Sequence, residues 1–253
     1  MEDFEKIEWF HTMDINGYTT KGLCDWRPYK KYFFLEKSKN QTVLDIGAGD
    51  GFFSFEMEKL GAKVVATEIE SQFERDNYKF GIENLKSKHS LTKGYSFNLV
   101  KKHLKSDVKL ITSNIYNLDK DLDSKFDIIF CSDVIMHLTD PVKAITKICD
   151  VSKKYIIIGN PINHISLRGK GFISAIKNLP KYLALKLLNN DPFILFQGHT
   201  NRNIFWLPSF QGIVSMLRSC GFELVDYNIF NTSSKHHVSP QRRVVILAEK
   251  IKK

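Results

Sequence analysis

At 253 residues, 43% hydrophobic and 26% charged, the chain suits one large soluble domain, or one domain with a cap, and its apolar runs are too short for a membrane-spanning helix. Its four cysteines (Cys24, Cys131, Cys149 and Cys220) stand singly, without the spacing of a disulfide framework or a zinc knuckle. A net charge of +9 admits nucleic acid, an anionic surface or an anionic small molecule as partner, and the excess lies late: residues 161–205 and 235–253 each carry a net +5.

The N-terminus, MEDFEKIEWFH, is acidic and aromatic, unlike a signal or transit peptide, so a cytoplasmic location is expected. Residues 1–40 are expected to form a helical, aromatic segment over the active site, with Lys30–Lys37 helical in pattern. Thr42–Gly47 predicts a buried strand, Phe52–Leu60 a helix stopped at Gly61, and Lys63–Ile69 a second strand. Tyr95–Leu104 reads as a helix, Val108–Ile115 as the third strand and Phe126–Asp133 as the fourth. Asp140–Val151 is an amphipathic helix with Pro141 in its first turn, and Lys154–Asn160 is the fifth strand. Continuous apolar strands separated by helices predict a parallel sheet covered on both faces. The right-handed crossover rule makes this a doubly wound, Rossmann-like α/β core over residues 41–159.

After Asn160 the rhythm breaks. Residues 160–205 are too many for an ordinary connection and predict a helical cap inserted after strand five, suited to acceptor recognition. The alternation resumes over 206–253 with a helix stopped by Gly221. Two strands then follow, joined by the polar loop Asn231–Pro240, as an antiparallel edge hairpin. His236 and His237 lack the spacing of a helical metal site and read as part of a mobile surface loop; no metal ligand set is predicted elsewhere.

The stretch VLDIGAGDGFF, Val43–Phe53, concentrates the chemistry. Glycine at a strand end suits a ligand that presses on the backbone, or a positive φ. A dinucleotide fingerprint would place its third glycine where Phe52 stands, and no G-K-[ST] follows for a P-loop. The pattern Asp45-x-Gly47-x-Gly49-x-Gly51 instead resembles the first motif of class I S-adenosylmethionine (SAM) dependent methyltransferases. The resemblance implies that Gly47, Ala48, Gly49 and Phe52 pass under the methionine and ribose parts of SAM, with Asp45 near its amino end. It also implies Glu68 on the ribose hydroxyls, Asn114 and Ile115 beside the adenine, and Cys131 and Ser132, in FCSDVIMHLTDP, toward the methionine part. Arg27 is a candidate partner for the SAM carboxylate. Beyond this core, EWFHTMDINGYTTKG, WRPYKKYFFLE and NIFWLPSFQGIVSMLRSCGFE are similar to segments of the tRNA wobble-uridine carboxymethyltransferase group and its small-molecule relatives.

The expected reaction is methyl transfer from SAM to a hydroxyl or amine of a small polar, anionic metabolite. A phosphorylated or nucleotide-linked precursor of a modified cell-surface polysaccharide fits this description, and no metal is required. A tRNA-modifying enzyme is the alternative, although no separate RNA module is visible and nucleic acid is not the expected partner. An NAD-dependent reductase is opposed by the misplaced third glycine. In-line displacement needs alignment and, for a hydroxyl or amine, a nearby base; the candidates are His11, His137, His164 and His199. Arg168 and Arg202 are expected to hold the anion through their planar forks, with Trp206 as an aromatic wall beside Trp9, Phe10 and Trp26.

Overall fold

The computed structural model describes residues 2–70, 76, 94–162, 192, 194–196, 204–237 and 241–251. The N-terminal segment is assembled from short pieces: a single-turn helix α1 (Glu2–Glu5), a two-residue hairpin of β1 (Asp14–Ile15) and β2 (Tyr18–Thr19), and two 3-10 helices, Arg27–Tyr32 and Leu35–Ser38. Phe34, held at φ 52°, separates the last two, so the helix expected over Lys30–Lys37 is broken into 3-10 turns.

Five short runs rich in Val, Ile, Leu and Phe follow, a composition that suits strands buried on both faces. They are β3 (Thr42–Ile46), β4 (Lys63–Glu68), β5 (Lys109–Thr112), β6 (Phe126–Ser132) and β7 (Ser152–Pro161), all paired in parallel. A small separate sheet pairs β8 (Ile194–Phe196) with β9 (Trp206–Pro208). The hairpin expected at the sheet edge is present as β10 (Phe222–Asn231) and β11 (Arg242–Lys250), with β11 antiparallel to β7. The strand order is β10-β11-β7-β6-β3-β4-β5. It reverses between β3 and β6, and loops that diverge at such a point leave a crevice beyond the strand ends. The glycine loop after β3 stands there.

Helices α2 (Phe52–Lys59) and α3 (Tyr95–Leu104), with the N-terminal segment, cover one face; Trp26, Phe33, Phe53, Phe97 and Phe130 form its core. The other face is covered by α4 (Leu118–Asp121), α5 (Pro141–Asp150) and α6 (Phe210–Ser219), against Leu44, Ile129, Ile145, Ile148, Ile213 and Leu217. The starts of α5 and α6 are set locally. Asp140 accepts from Lys143 N at 2.9 Å ahead of Pro141, and Ser209 accepts from Gly212 N at 2.9 Å.

Of the expected helical cap, the described residues are 160–162 at the end of β7, residue 192, the strand β8, and Ile204 and Phe205. His164, Arg168, His199 and Arg202 lie outside the described residues.

Candidate active site

β3 delivers Asp45 to the crevice, 3% exposed. Ser54 Oγ on α2 donates to it at 2.5 Å, while burial, with Glu68 adding its charge, pushes its carboxyl up to about 7. Gly47, Gly49 and Gly51 all adopt positive φ, at 70°, 60° and 92°. Their surroundings differ. A Cβ on Gly47 would lie 2.6 Å from Val134 in the loop after β6, and one on Gly51 2.4 Å from the Phe55 ring. A Cβ on Gly49 would meet the His11 imidazole at 3.2 Å. Gly47 and Ala48 donate their N–H groups to Thr67 O at 2.9 and 3.2 Å, and Gly49 N donates to Glu68 Oε1 at 2.7 Å. Phe52 packs behind the loop, its ring centroid 6.0 Å from that of His11.

The N-terminal segment is fastened onto this loop. Asp50 accepts from Phe10 N at 2.7 Å, His11 N at 2.8 Å and Ser96 Oγ at 2.6 Å. Gly22 lets the chain cross itself here, since a Cβ would come within 2.1 Å of the His11 carbonyl carbon. His11 is 5% exposed and its Nδ1 has no hydrogen-bond partner among the described residues. Burial holds its pKa below the ordinary histidine value, against the pull of Asp50 and Glu68, so a neutral imidazole faces the loop.

A second wall comes from the far end of the chain. Isolated β-bridges join His11 to Cys24 and Cys24 to His237. His237 is 4% exposed, its ring centroid 4.2 Å from Trp26, its Nε2 unpartnered and its pKa pushed down to about 4 by burial. This corrects the reading of residues 236 and 237 as a mobile surface loop. Asp25 N donates to His236 O at 2.7 Å and Ser233 N to Tyr29 Oη at 3.0 Å, tying the segment down. Arg243, 4% exposed on β11, lies 4.8 Å over the Trp26 ring and pairs with Asp133, which follows β6 at φ 61°. Burial pushes the Arg243 guanidinium down to about 9. Asp50, Asp133 and Arg243 were not singled out from sequence. The available signal was Arg243 itself, which shares its strand face with Val245 and Leu247 of the core.

The remaining candidates are dispersed. Arg27 is engaged by two acids, Asp14 at 2.7 Å and Asp25 at 2.9 Å. Asn114 caps a 3-10 turn by accepting from Tyr116 N at 3.0 Å, and Ile115 is buried in the core shared with Leu118. Cys131 is buried within β6, and burial pushes its thiol up. Ser132 Oγ is unpartnered beside Gly159, where a Cβ would lie 2.6 Å from it. His137 closes a 3-10 turn just beyond the end of β6, where Phe205 N donates to Met136 O at 2.9 Å and Trp206 Nε1 to Thr139 O at 3.2 Å. Among the described residues, no group of three or more His, Cys, Asp or Glu could hold a metal.

A seven-stranded sheet of this order, with a glycine loop after its central strand and an acid closing the next strand, is a Rossmann-like methyltransferase fold. Residues 37–191 match the model of the family described as a methyltransferase domain, and the chain belongs to that family. It is 28% identical over 127 residues to the tRNA U34 carboxymethyltransferase of Campylobacter hominis, a match covering 49% of this chain and 38% of that protein. The chain thus spans well under half the length of this curated relative. Among solved structures, the N-terminal domain of EvdMO1, determined in the presence of SAH and D-fucose, has a TM-score of 0.61 at 12% identity, covering 99% of this chain and 95% of that one. The Burkholderia thailandensis 1,6-didemethyltoxoflavin-N1-methyltransferase, with bound 1,6-didemethyltoxoflavin and S-adenosylhomocysteine, has a TM-score of 0.57 at 13% identity, covering 89% and 78%. At these identities the likeness is one of fold.

Proposed function

We propose that this enzyme methylates a hydroxyl or amine of a small polar metabolite carrying an anionic group, phosphorylated or nucleotide-linked. The observation that carries the reading is the juxtaposition at Gly49, where Glu68 from β4 and His11 from the N-terminal segment converge on a backbone position at φ 60° whose Cβ would press on the His11 ring. The residues suit the donor. Glu68 can exchange Gly49 N for the two ribose hydroxyls, and Asp45 stands toward the amino end. When bound, SAM supplies an electrophilic methyl whose carbon–sulfur bond breaks, with the electron pair leaving on sulfur, as the acceptor's lone pair bonds the carbon. The chain's own part is alignment, exclusion of water and proton removal. His11 is the base: buried, neutral and with a free ring nitrogen. The net +5 of residues 161–205 supports an anionic group on the acceptor.

Titration with SAM and S-adenosylhomocysteine tests the donor half. Both raise the melting temperature by mass action, and Glu68→Ala weakens them by about 1.5–3 kcal/mol, the scale of a hydrogen bond to a charged group. Unchanged affinity removes Glu68 from the ribose. His11→Gln keeps donor affinity and lowers turnover on any acceptor found by methyl-labelled SAM in metabolite pools. The similarity to a tRNA enzyme favours a second reading, RNA as acceptor. Binding to tRNA that weakens steeply with salt would support it.

A further inference from the structure

We infer that the reacting end of the acceptor is a neutral, hydroxyl-bearing group, a polyol or sugar ring, seated against the Asp133–Arg243 pair, His237 and His11. The inference rests on the methyltransferase reading and concerns only the part of the acceptor that receives the methyl group.

Three observations carry it. First, among the described residues, three buried polar atoms on the strand-end side of the sheet have no hydrogen-bond partner: His11 Nδ1, His237 Nε2 and Ser132 Oγ. Buried polar groups in native proteins are nearly always satisfied, so this set is built for something that brings its own hydrogen bonds. Second, the charges are already balanced or negative. Asp133 neutralises Arg243, both imidazoles are neutral at pH 7, Asp50 and Glu68 act on His11, and Asp25 acts on His237. A carboxylate or phosphate desolvated here would meet like charges, with Arg243 the only buried cation among these residues and already paired. Third, the available atoms are mixed: a guanidinium that only donates, a carboxylate that only accepts, and imidazoles that do either. A hydroxyl both donates and accepts, so adjacent hydroxyls match such a set where an anion does not. The anionic group of a larger acceptor belongs outside this cluster.

The test uses the full chain saturated with S-adenosylhomocysteine. Methyl glycosides of neutral hexoses are titrated beside the corresponding methyl uronides, which differ by one carboxylate. Neutral members bind about tenfold or more tightly than their uronides, and Asp133→Asn narrows or reverses that ratio by about tenfold, because it unmasks the charge of Arg243. Asparagine tolerates the left-handed backbone at this position, so the variant keeps the turn. His237→Gln weakens the neutral members without changing S-adenosylhomocysteine affinity. Uronides that bind as tightly as neutral glycosides, neutral glycosides that do not bind, or a ratio untouched by Asp133→Asn each overturn the inference. Failure of S-adenosylhomocysteine itself to bind would strike the methyltransferase reading instead.

Discussion

Asp50 gathers donors from two separate parts of the chain, the backbone of Phe10 and His11 and the hydroxyl of Ser96. Asp50→Ala leaves the buried His11 N–H and the part-buried Phe10 N–H unpaired and costs about 2 kcal/mol, read as a lower urea midpoint with an unchanged slope. The buried titratable groups oppose one another in pH. His237 has a folded pKa of about 4 against 6.5 unfolded, so between these values the unfolded chain binds more protons and stability rises with pH; His11 acts in the same direction. Asp45, at about 7 against 3.8 unfolded, keeps its proton in the folded state, so its contribution is present below pH 3.8 and is lost as pH rises toward 7. Between pH 4 and 6.5 the slopes partly cancel. Asp45→Asn therefore steepens the rise by up to about 1.4 kcal/mol per pH unit, and His237→Gln flattens it by a similar amount. Urea unfolding across this range reads both. Equal slopes in the two variants would contradict the assignments.

At the scale of elements, the glycine loop separates packing from chemistry. Gly51→Ala drives a Cβ into the Phe55 ring at φ 92° and destabilises by about 2 kcal/mol or more. Gly49→Ala meets only the His11 ring edge, at 3.2 Å, so donor affinity and turnover fall further than the melting temperature does. A larger stability loss for Gly49→Ala than for Gly51→Ala would reverse that division. The loop, β3–β7 and α5 were legible because apolar runs, cap residues and glycine spacing are local signals. The N-terminal segment was not, since its aromatic residues follow no helical or strand period and are ordered by contacts such as Asp50 to Phe10, 40 residues apart. His237 and Arg243 escaped for a related reason. Adjacent histidines in a polar loop and an Arg-Arg pair opening a strand look like solvated surface until the fold places them on Trp26.

For the whole molecule, the net charge of +9 and the local pairing of Arg243 with Asp133 are separate facts, the first acting at long range and the second only within the site. None of the described helices is long and apolar enough to cross a membrane. The bridges from His11 through Cys24 to His237 have a kinetic consequence. Gly49 meets Glu68 across 19 residues, whereas Ser233 reaches Tyr29 across 204. Short closures cost less chain entropy and form first. On refolding from urea, the ability to bind S-adenosylhomocysteine therefore returns before the ability to turn over acceptor, with a lag that a stopped-flow jump followed by activity sampling would measure. Simultaneous recovery would mean that the two walls form in one step. Until the last strand docks, such a molecule holds its methyl donor with nothing to give it to.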